Sequence, residues 1–534
     1  MALRLPGIAR CIAAATLFPI LVVGCQSMPT ADAPVPRAVT ALGGTAALGN
    51  LKTLEASGTA RHWDPDSSFV ALGDSRLAGE SAFTLQRDLT RQAARTDWQR
   101  KLSYLGPREF RYSEIVADGV GYVSGVDTNS RTKQSLDANP PAHTMSPVRL
   151  ATTTRDLLRA SPTLLLDMQR NPSQVTAAAD TTVQGRALPT VRYRPGGRDY
   201  LVMFDPSTGL PARIRTADYD ALRGDSTYDL VLSDWRDVAG AKFPYRQVYE
   251  LNGATVIDTR FDKVQANASI PADRFAIPAD FRRTTALPAE PIPYQWVLKR
   301  HFIGVLLDTD TLYYDPATSQ GLRFQEIAPG VLLTQGGSHN SMVVEMADHL
   351  IVFDAPINDS YSQWVLAELK KRYPAKPVRT LVLTHHHMDH SWGTRAYLAQ
   401  GATLVTNTGN AALFRGMGQA AHSRSPTLAA VGKFEPKITE VADRLTLTDG
   451  KRNVQAIAFA NPHSAGALFG YVEDVRVGFV TDVWSPGRDP VGAQLNGGQQ
   501  ALVDGVRKAG IAPERFAGGH GSVAPYADVA SKAK

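Results

Sequence analysis

The segment Thr384-His-His-His-Met-Asp-His390 gathers four imidazoles and one carboxylate into seven residues. Side chains of these types at this density are suited to holding divalent ions. The run follows Arg379-Thr-Leu-Val-Leu383, a short apolar stretch of β character, and precedes Thr394–Gln400, which reads as the start of a helix. The histidines therefore belong to a strand-to-helix loop. Alternate side chains at a strand end share a face. His385 and His387 can then reach one ion, while His386 points elsewhere. Asp389 and His390 come where the chain turns and can reach a second ion. Taken alone, such a run is also compatible with a polar loop satisfied by its own hydrogen bonds.

Something must position that loop, and the chain around it divides into recognisable parts. It has 534 residues, enough for two domains with connectors. Hydrophobic residues make up 43% and charged residues 20%, an ordinary globular balance. The formal charge of +6 is spread thinly without a long Lys/Arg run, so nucleic acid is not an expected partner. Residues 37–283 read as a β-rich domain, an antiparallel and curled sheet. Its strongest strands are Tyr200–Phe204, Pro211–Arg215, Tyr228–Leu232, Phe243–Leu251 and Thr255–Phe261, with Asn252-Gly253 as a hairpin turn. A helical patch is expected near Arg155–Gln169. The sheet loosely resembles the half-barrels of bacterial envelope lipoproteins, an architectural likeness that transfers no residues. Residues 284–322 are a Pro-rich linker and connecting segment. From about Arg323 strands alternate with helices, and nine of the twelve histidines lie beyond that point.

The first 24 residues read as a signal peptide, with Arg4 and Arg10 before an apolar run from Cys11 to Val23. The run ends in Val22-Val23-Gly24-Cys25, which resembles a bacterial lipobox and implies that Cys25 is lipidated. An ordinary cleaved signal peptide is the alternative. A membrane span is disfavoured by the short run and by Pro19 within it. Residues 25–36 then form a polar, Pro-rich tether. The expected location is the bacterial cell envelope, lipid-anchored and facing the periplasm or the exterior. Cys11 and Cys25 are the sole cysteines, so a metal site must use His and carboxylates.

The pattern HxHxDH after an apolar strand resembles the metallo-β-lactamase superfamily. The resemblance covers residues 323–534 and implies an αββα sandwich with metals at one edge. The whole chain is then expected to be an α+β multidomain protein. The family's later positions are filled in order by His463 in Asn461-Pro-His-Ser464, by Asp482 after Val477-Gly-Phe-Val480, and by His520 in Gly518-Gly-His-Gly521. An upstream strand ending in Asp is filled by Leu350-Ile-Val-Phe-Asp354. By this resemblance His385, His387 and His463 hold one metal, Asp389, His390 and His520 hold another, and Asp482 bridges both. Five imidazoles and two carboxylates suit two zinc ions, with iron and manganese left open. The implied nucleophile is a metal-bridging hydroxide, with Asp389 as the catalytic residue that orients it or relays its proton.

Outside that set, Asp354 is expected to bond the ligand loop rather than a metal, and His339 to support the ligands or face substrate. His386 reads as packing or support, His422 and His349 as surface residues, and Trp235 as strand packing. The resemblance implies a hydrolase of small molecules. An Asp at the bridging place points to an ester, thioester or lactone, with β-lactams or phosphodiesters as the alternatives. A reading of another class is an envelope lipoprotein that binds lipid or protein through its first domain, with a structural metal domain.

Overall fold

Leu350-Ile-Val-Phe353 is apolar on both faces, which a strand tolerates only when it is covered on both sides. The computed structural model, which describes residues 33–104, 106–127, 141–283, 322–425 and 430–533, covers it in that way. Ile351 and Phe353 point into a core shared with Val454, Leu468 and Phe479, while Leu350 and Val352 face Tyr361, Val365 and Leu369 of the helix Asp359–Arg372. The strand lies in a seven-stranded sheet running from Arg323–Ala328 to Ile438–Val441. Its first pairings are antiparallel, and those from Leu350–Phe353 onward are parallel. A six-stranded sheet from Arg444–Thr448 to Val523–Pro525 stacks on it. The helix Gly497–Ala509 covers the far side of this second sheet through Leu502, Val503 and Val506. The layers are thus helix, sheet, sheet and helix. The expected strand starts at Arg323 and Val477 both appear.

The N-terminal part is one antiparallel sheet of thirteen strands among the described residues, from Ala142–Thr144 at one edge to Val175–Ala177 at the other. In Thr53–Asp64 the even-numbered residues are buried, the period of two that fixes a strand's inner face. The hairpins read from Tyr200 to Phe261 are present, and Ala241–Leu251 and Ala254–Ala266 meet at Asn252-Gly253. The helical patch is two helices, Pro147–Arg159 and Leu164–Arg170. Val35, Val39, Leu42, Leu48, Leu164 and Leu165 pack onto Val202, Ile214 and Leu230, so helices fill one face of the sheet. The tether also ends earlier than expected, because Pro34–Ala41 is a helix with proline in its first turn. The signal peptide, Cys25 and residues 284–321 lie outside the described residues.

The two parts are packed together. Ala221 and Leu222, at the turn between Pro211–Asp220 and Gly224–Val238, belong to the same cluster as Leu369, Tyr397 and Phe414. Asp225 N–H donates to the Ala421 carbonyl at 2.6 Å, and the Asp225 carboxylate accepts from Ser423 Oγ at 2.6 Å and Arg424 N at 3.1 Å. His422, expected on the surface, is therefore buried. The sequence could not reveal this, because the covering hairpin is about 200 residues away.

Asp64 ends its strand fully buried, and burial pushes its carboxyl up to about 6 despite the hydrogen bond from Ser67. A carboxyl raised in the folded state contributes stability below its unfolded pKa of about 4, and that contribution is lost as pH rises through 6. The full shift corresponds to about 3 kcal/mol. Metal-free wild type should therefore lose stability relative to Asp64→Asn between about pH 4 and 7. Parallel denaturant midpoints for the two chains across that range would remove the assignment.

Candidate metal centre

The centre lies where the strands of both stacked sheets end. Val378–Val382 delivers Thr384 and the histidine run, and a short helix at Met388–Ser391 turns it back. Ser391 Oγ holds the turn by donating to the carbonyls of His386 at 3.0 Å and His387 at 2.8 Å. From the second sheet, Asn461 Oδ1 accepts from the N–H groups of His463 and Ser464 at 2.9 and 3.0 Å, a local turn that presents the His463 ring. Asp482 follows Val477–Val480 with φ +61°, and Asp354 follows Leu350–Phe353 with φ +59°. Left-handed backbone is uncommon outside glycine, although Asp tolerates it better than most residues. His520 sits on a loop pinned by Asn340 Nδ2, which donates to the carbonyls of Gly518 and Gly521 at 2.9 Å. Gly519 is required there, because an added Cβ would lie 2.8 Å from Thr481 Oγ1 and 3.3 Å from the His390 ring.

The seven residues expected as ligands converge. His385, His387 and His463 form one group whose ligand atoms lie within 4.8 Å of one another, and Asp389, His390 and His520 fall in a second. Asp482 stands between them. Its Oδ2 lies 3.3 Å from His385, 3.4 Å from His463 and 2.9 Å from His390, and its Oδ1 lies 2.9 Å from His520. His385 Nε2 is 3.2 Å from His463 Nε2, and His390 Nε2 is 3.2 Å from His520 Nε2. Two imidazoles on one tetrahedral zinc ion, with bonds of about 2.0–2.1 Å, bring their nitrogens to about 3.3 Å. The donor set and its spacing therefore fit metal ions.

Electrostatics agree with that fit at the first group. Burial drives His463 down to about 3, and burial with the neighbouring His385 holds His387 well below the usual imidazole range. Neutral imidazoles are what a metal needs. Burial also opposes charge on Asp389 and Asp482, but the His390 charge outweighs it and holds both carboxyls well below the ordinary range. His390 moves the other way. Its burial penalty is overcome by Asp482 and Asp389, and it is raised well above the imidazole range.

The flanking residues divide into supports and bystanders. Asp354 is fully buried and accepts from Thr384 N at 2.7 Å, Thr384 Oγ1 at 2.9 Å and His390 Nδ1 at 3.1 Å. It bonds the ligand loop. His339 joins the second group, with Nε2 3.2 Å from Asp389 Oδ2 and Nδ1 2.7 Å from Ser338 Oγ. A carboxylate only accepts, so His339 Nε2 carries the proton and steadies Asp389. His386 belongs to neither group, and contacts Ser68 Oγ at 3.3 Å and Ser464 Oγ at 3.5 Å.

Four further contacts were invisible in sequence, because they come from the N-terminal part of the chain. His387 Nε2 lies 2.9 Å from the Ser68 carbonyl oxygen, and Ala465 N donates to the Phe69 carbonyl at 2.8 Å. Arg76 Nη2 donates to the His463 carbonyl at 2.8 Å, and the Tyr104 ring stacks on the His463 ring at 6.5 Å. No local motif surrounds these residues that could have signalled them.

No curated protein matches the chain. Among solved structures, a metallo-beta-lactamase from Pontibacter korlensis is 16% identical, covering 40% of this chain and 98% of its own with a TM-score of 0.30. A metallo-beta-lactamase from Hirschia baltica is 17% identical over 40% of this chain and 95% of its own, with a TM-score of 0.29. A flavodiiron protein from Giardia intestinalis is 16% identical over 40% of this chain and 57% of its own, also at 0.29. The model of the metallo-beta-lactamase superfamily matches residues 334–524, and the C-terminal domain built around this histidine and aspartate cluster belongs to that superfamily.

Proposed function

We propose that the C-terminal domain is a metal-dependent hydrolase of small molecules and that its substrate is an ester, a thioester or a lactone. The observation that carries the reading is the shared carboxylate, Asp482, which meets imidazoles of both groups between 2.9 and 3.4 Å. His385, His387 and His463 would hold one ion, Asp389, His390 and His520 another, with Asp482 common to both. Two divalent ions held there would supply a water acidified towards a pKa of about 7 and a Lewis acid for the substrate oxygen. Asp389, its side chain 29% exposed against 11% for Asp482, is the more open of the two carboxylates. It is placed to orient the attacking water and accept its proton. A Ser or Cys nucleophile is not needed.

The rim supports a substrate that carries an apolar group. Phe69, Val70 and Leu72 are 46%, 49% and 59% exposed, three of the four exposed large hydrophobics among the described residues. Their loop touches His386, His387 and Ala465, so the apolar lip borders the centre. A panel on the zinc-loaded chain should compare acyl esters of increasing length, thioesters, lactones, a β-lactam and a phosphodiester. The largest kcat/KM is expected on a carboxylic ester, thioester or lactone, and a clear preference for the phosphodiester would sink the reading. Phe69→Ala should raise KM roughly five- to tenfold for a long acyl ester and leave the acetyl ester unchanged. Equal effects on both would remove the apolar lip from substrate binding.

A further inference from the structure

The two groups of candidate ligands are supported from different parts of the chain. The side-chain hydrogen bonds described for the second group come from the C-terminal domain, among them His390 Nδ1 to Asp354 Oδ2, Thr481 Oγ1 to His390 Nε2, His520 Nδ1 to the Ser338 carbonyl, and Asp389 to His339. Two imidazoles of the first group are instead held by the N-terminal part of the chain. A carbonyl oxygen only accepts, so at 2.9 Å His387 Nε2 must donate its proton to Ser68. The free lone pair of a neutral His387 is then on Nδ1. The Ser68 carbonyl thereby decides which nitrogen of His387 can ligate. His463 is held by Arg76 at its carbonyl and by the Tyr104 ring, over which the Arg76 guanidinium lies at 4.5 Å.

The loop that carries Ser68 is itself built for position. Asp64 closes it from within, accepting from Asp66 N at 3.0 Å and from Ser67 Oγ at 2.7 Å. Asp66 is paired with Arg223 of the hairpin that enters the C-terminal core. Ser68 Oγ donates to the Val70 carbonyl at 2.8 Å, which leaves it as acceptor for His386 Nε2. Phe69 is tied through its carbonyl to Ala465, two residues after His463.

We propose that the loop Asp64–Gly73, with Arg76 and Tyr104, positions the first metal group, so that ion affinity there is set by the N-terminal domain while affinity at the second group is not. This rests on the metal-binding part of the functional reading and is independent of what is hydrolysed. Ser68, Asp64, Arg76 and Tyr104 are positioning residues; none of them is a ligand.

The test is zinc titration of the metal-free full chain against a chromophoric chelator. It is run in a His520→Ala background, which leaves the first group intact, and in a His463→Ala background, which leaves the second. Asp64→Ala opens the loop, and Arg76→Met releases His463. Each is expected to weaken zinc about tenfold or more at the first group, with no change at the second. Asp64→Asn keeps the shape and the acceptor for Asp66 N, and should restore affinity to within about threefold of its parent. Should Asp64→Ala fail to fold, as judged by circular dichroism, Arg76→Met decides alone. Unchanged affinity at the first group in the folded variants, or equal weakening at both groups, overturns the proposal. If neither background binds zinc, the metal reading itself fails, which is a distinguishable result.

Discussion

Asp389→Ala is expected to cut turnover by roughly three orders of magnitude, the middle of the range for removing a positioned acid–base group, and to lower metal content from two ions per chain towards one. The Asp389 carboxylate has two tasks that Ala cannot share. Its Oδ2 is 3.2 Å from His339 Nε2 and 3.8 Å from His390 Nε2, inside the second group. Its side chain is also 29% exposed, against 11% for Asp482, so it is the more open of the two carboxylates. Burial works against its charge, but His390 and the His339 hydrogen bond hold it ionised. Asp389→Asn separates the tasks. It keeps the shape, removes the charge, and should lose turnover while retaining part of the second ion. The measurements are kcat on the best ester of the panel and metal content after gel filtration. A variant that keeps both ions and turns over within tenfold of wild type would remove Asp389 from the chemistry.

The candidate ligand constellation was legible in sequence because most of its members come with a local structural signal. His385 and His387 follow an apolar strand, His463 lies in an Asn-initiated turn, Asp482 follows the strand Val477–Val480, and His520 is flanked by glycines. The strands from Tyr200 to Phe261 were legible for a similar reason, since turn residues separate them. The five long strands between Thr53 and Val126 were not resolved one by one. Polar and charged residues interrupt them: Ala93-Ala-Arg-Thr-Asp-Trp-Gln-Arg-Lys-Leu102 has little apolar alternation, and its strand is fixed by neighbours on both sides. Long-range packing was the other blind spot. Nothing in Ser67-Ser-Phe69 announces a partner more than 300 residues away at His386 and His387. Backbone carbonyls carry no sequence signature, so a support of this kind shows only in the folded chain.

Asp354 carries the second large effect, and its two substitutions should fail differently. Its side chain is fully buried and accepts three hydrogen bonds, from Thr384 N, Thr384 Oγ1 and His390 Nδ1. Asp354→Ala leaves a buried backbone N–H and a buried imidazole N–H without acceptors, each costing about 1–3 kcal/mol. The expected loss is about 3–5 kcal/mol, read as a fall in the denaturant midpoint. Asp354→Asn should preserve most of that stability, since its amide oxygen still accepts from Thr384 N. The effect then moves to the imidazole. An Asn Nδ2 facing His390 offers a donor where the carboxylate offered an acceptor, so His390 Nδ1 must become the acceptor and Nε2 must take the proton. Nε2 is the atom 3.2 Å from His520 and 2.9 Å from Asp482, and a protonated nitrogen there cannot ligate. Asp354→Asn should therefore fold normally and bind the second ion about 10- to 100-fold more weakly, with the first ion unaffected. That pattern is the mirror image of the one expected when the Asp64 loop is opened. A folded Asp354→Asn chain holding both ions at wild-type affinity would mean that His390 does not depend on Asp354 for its tautomer.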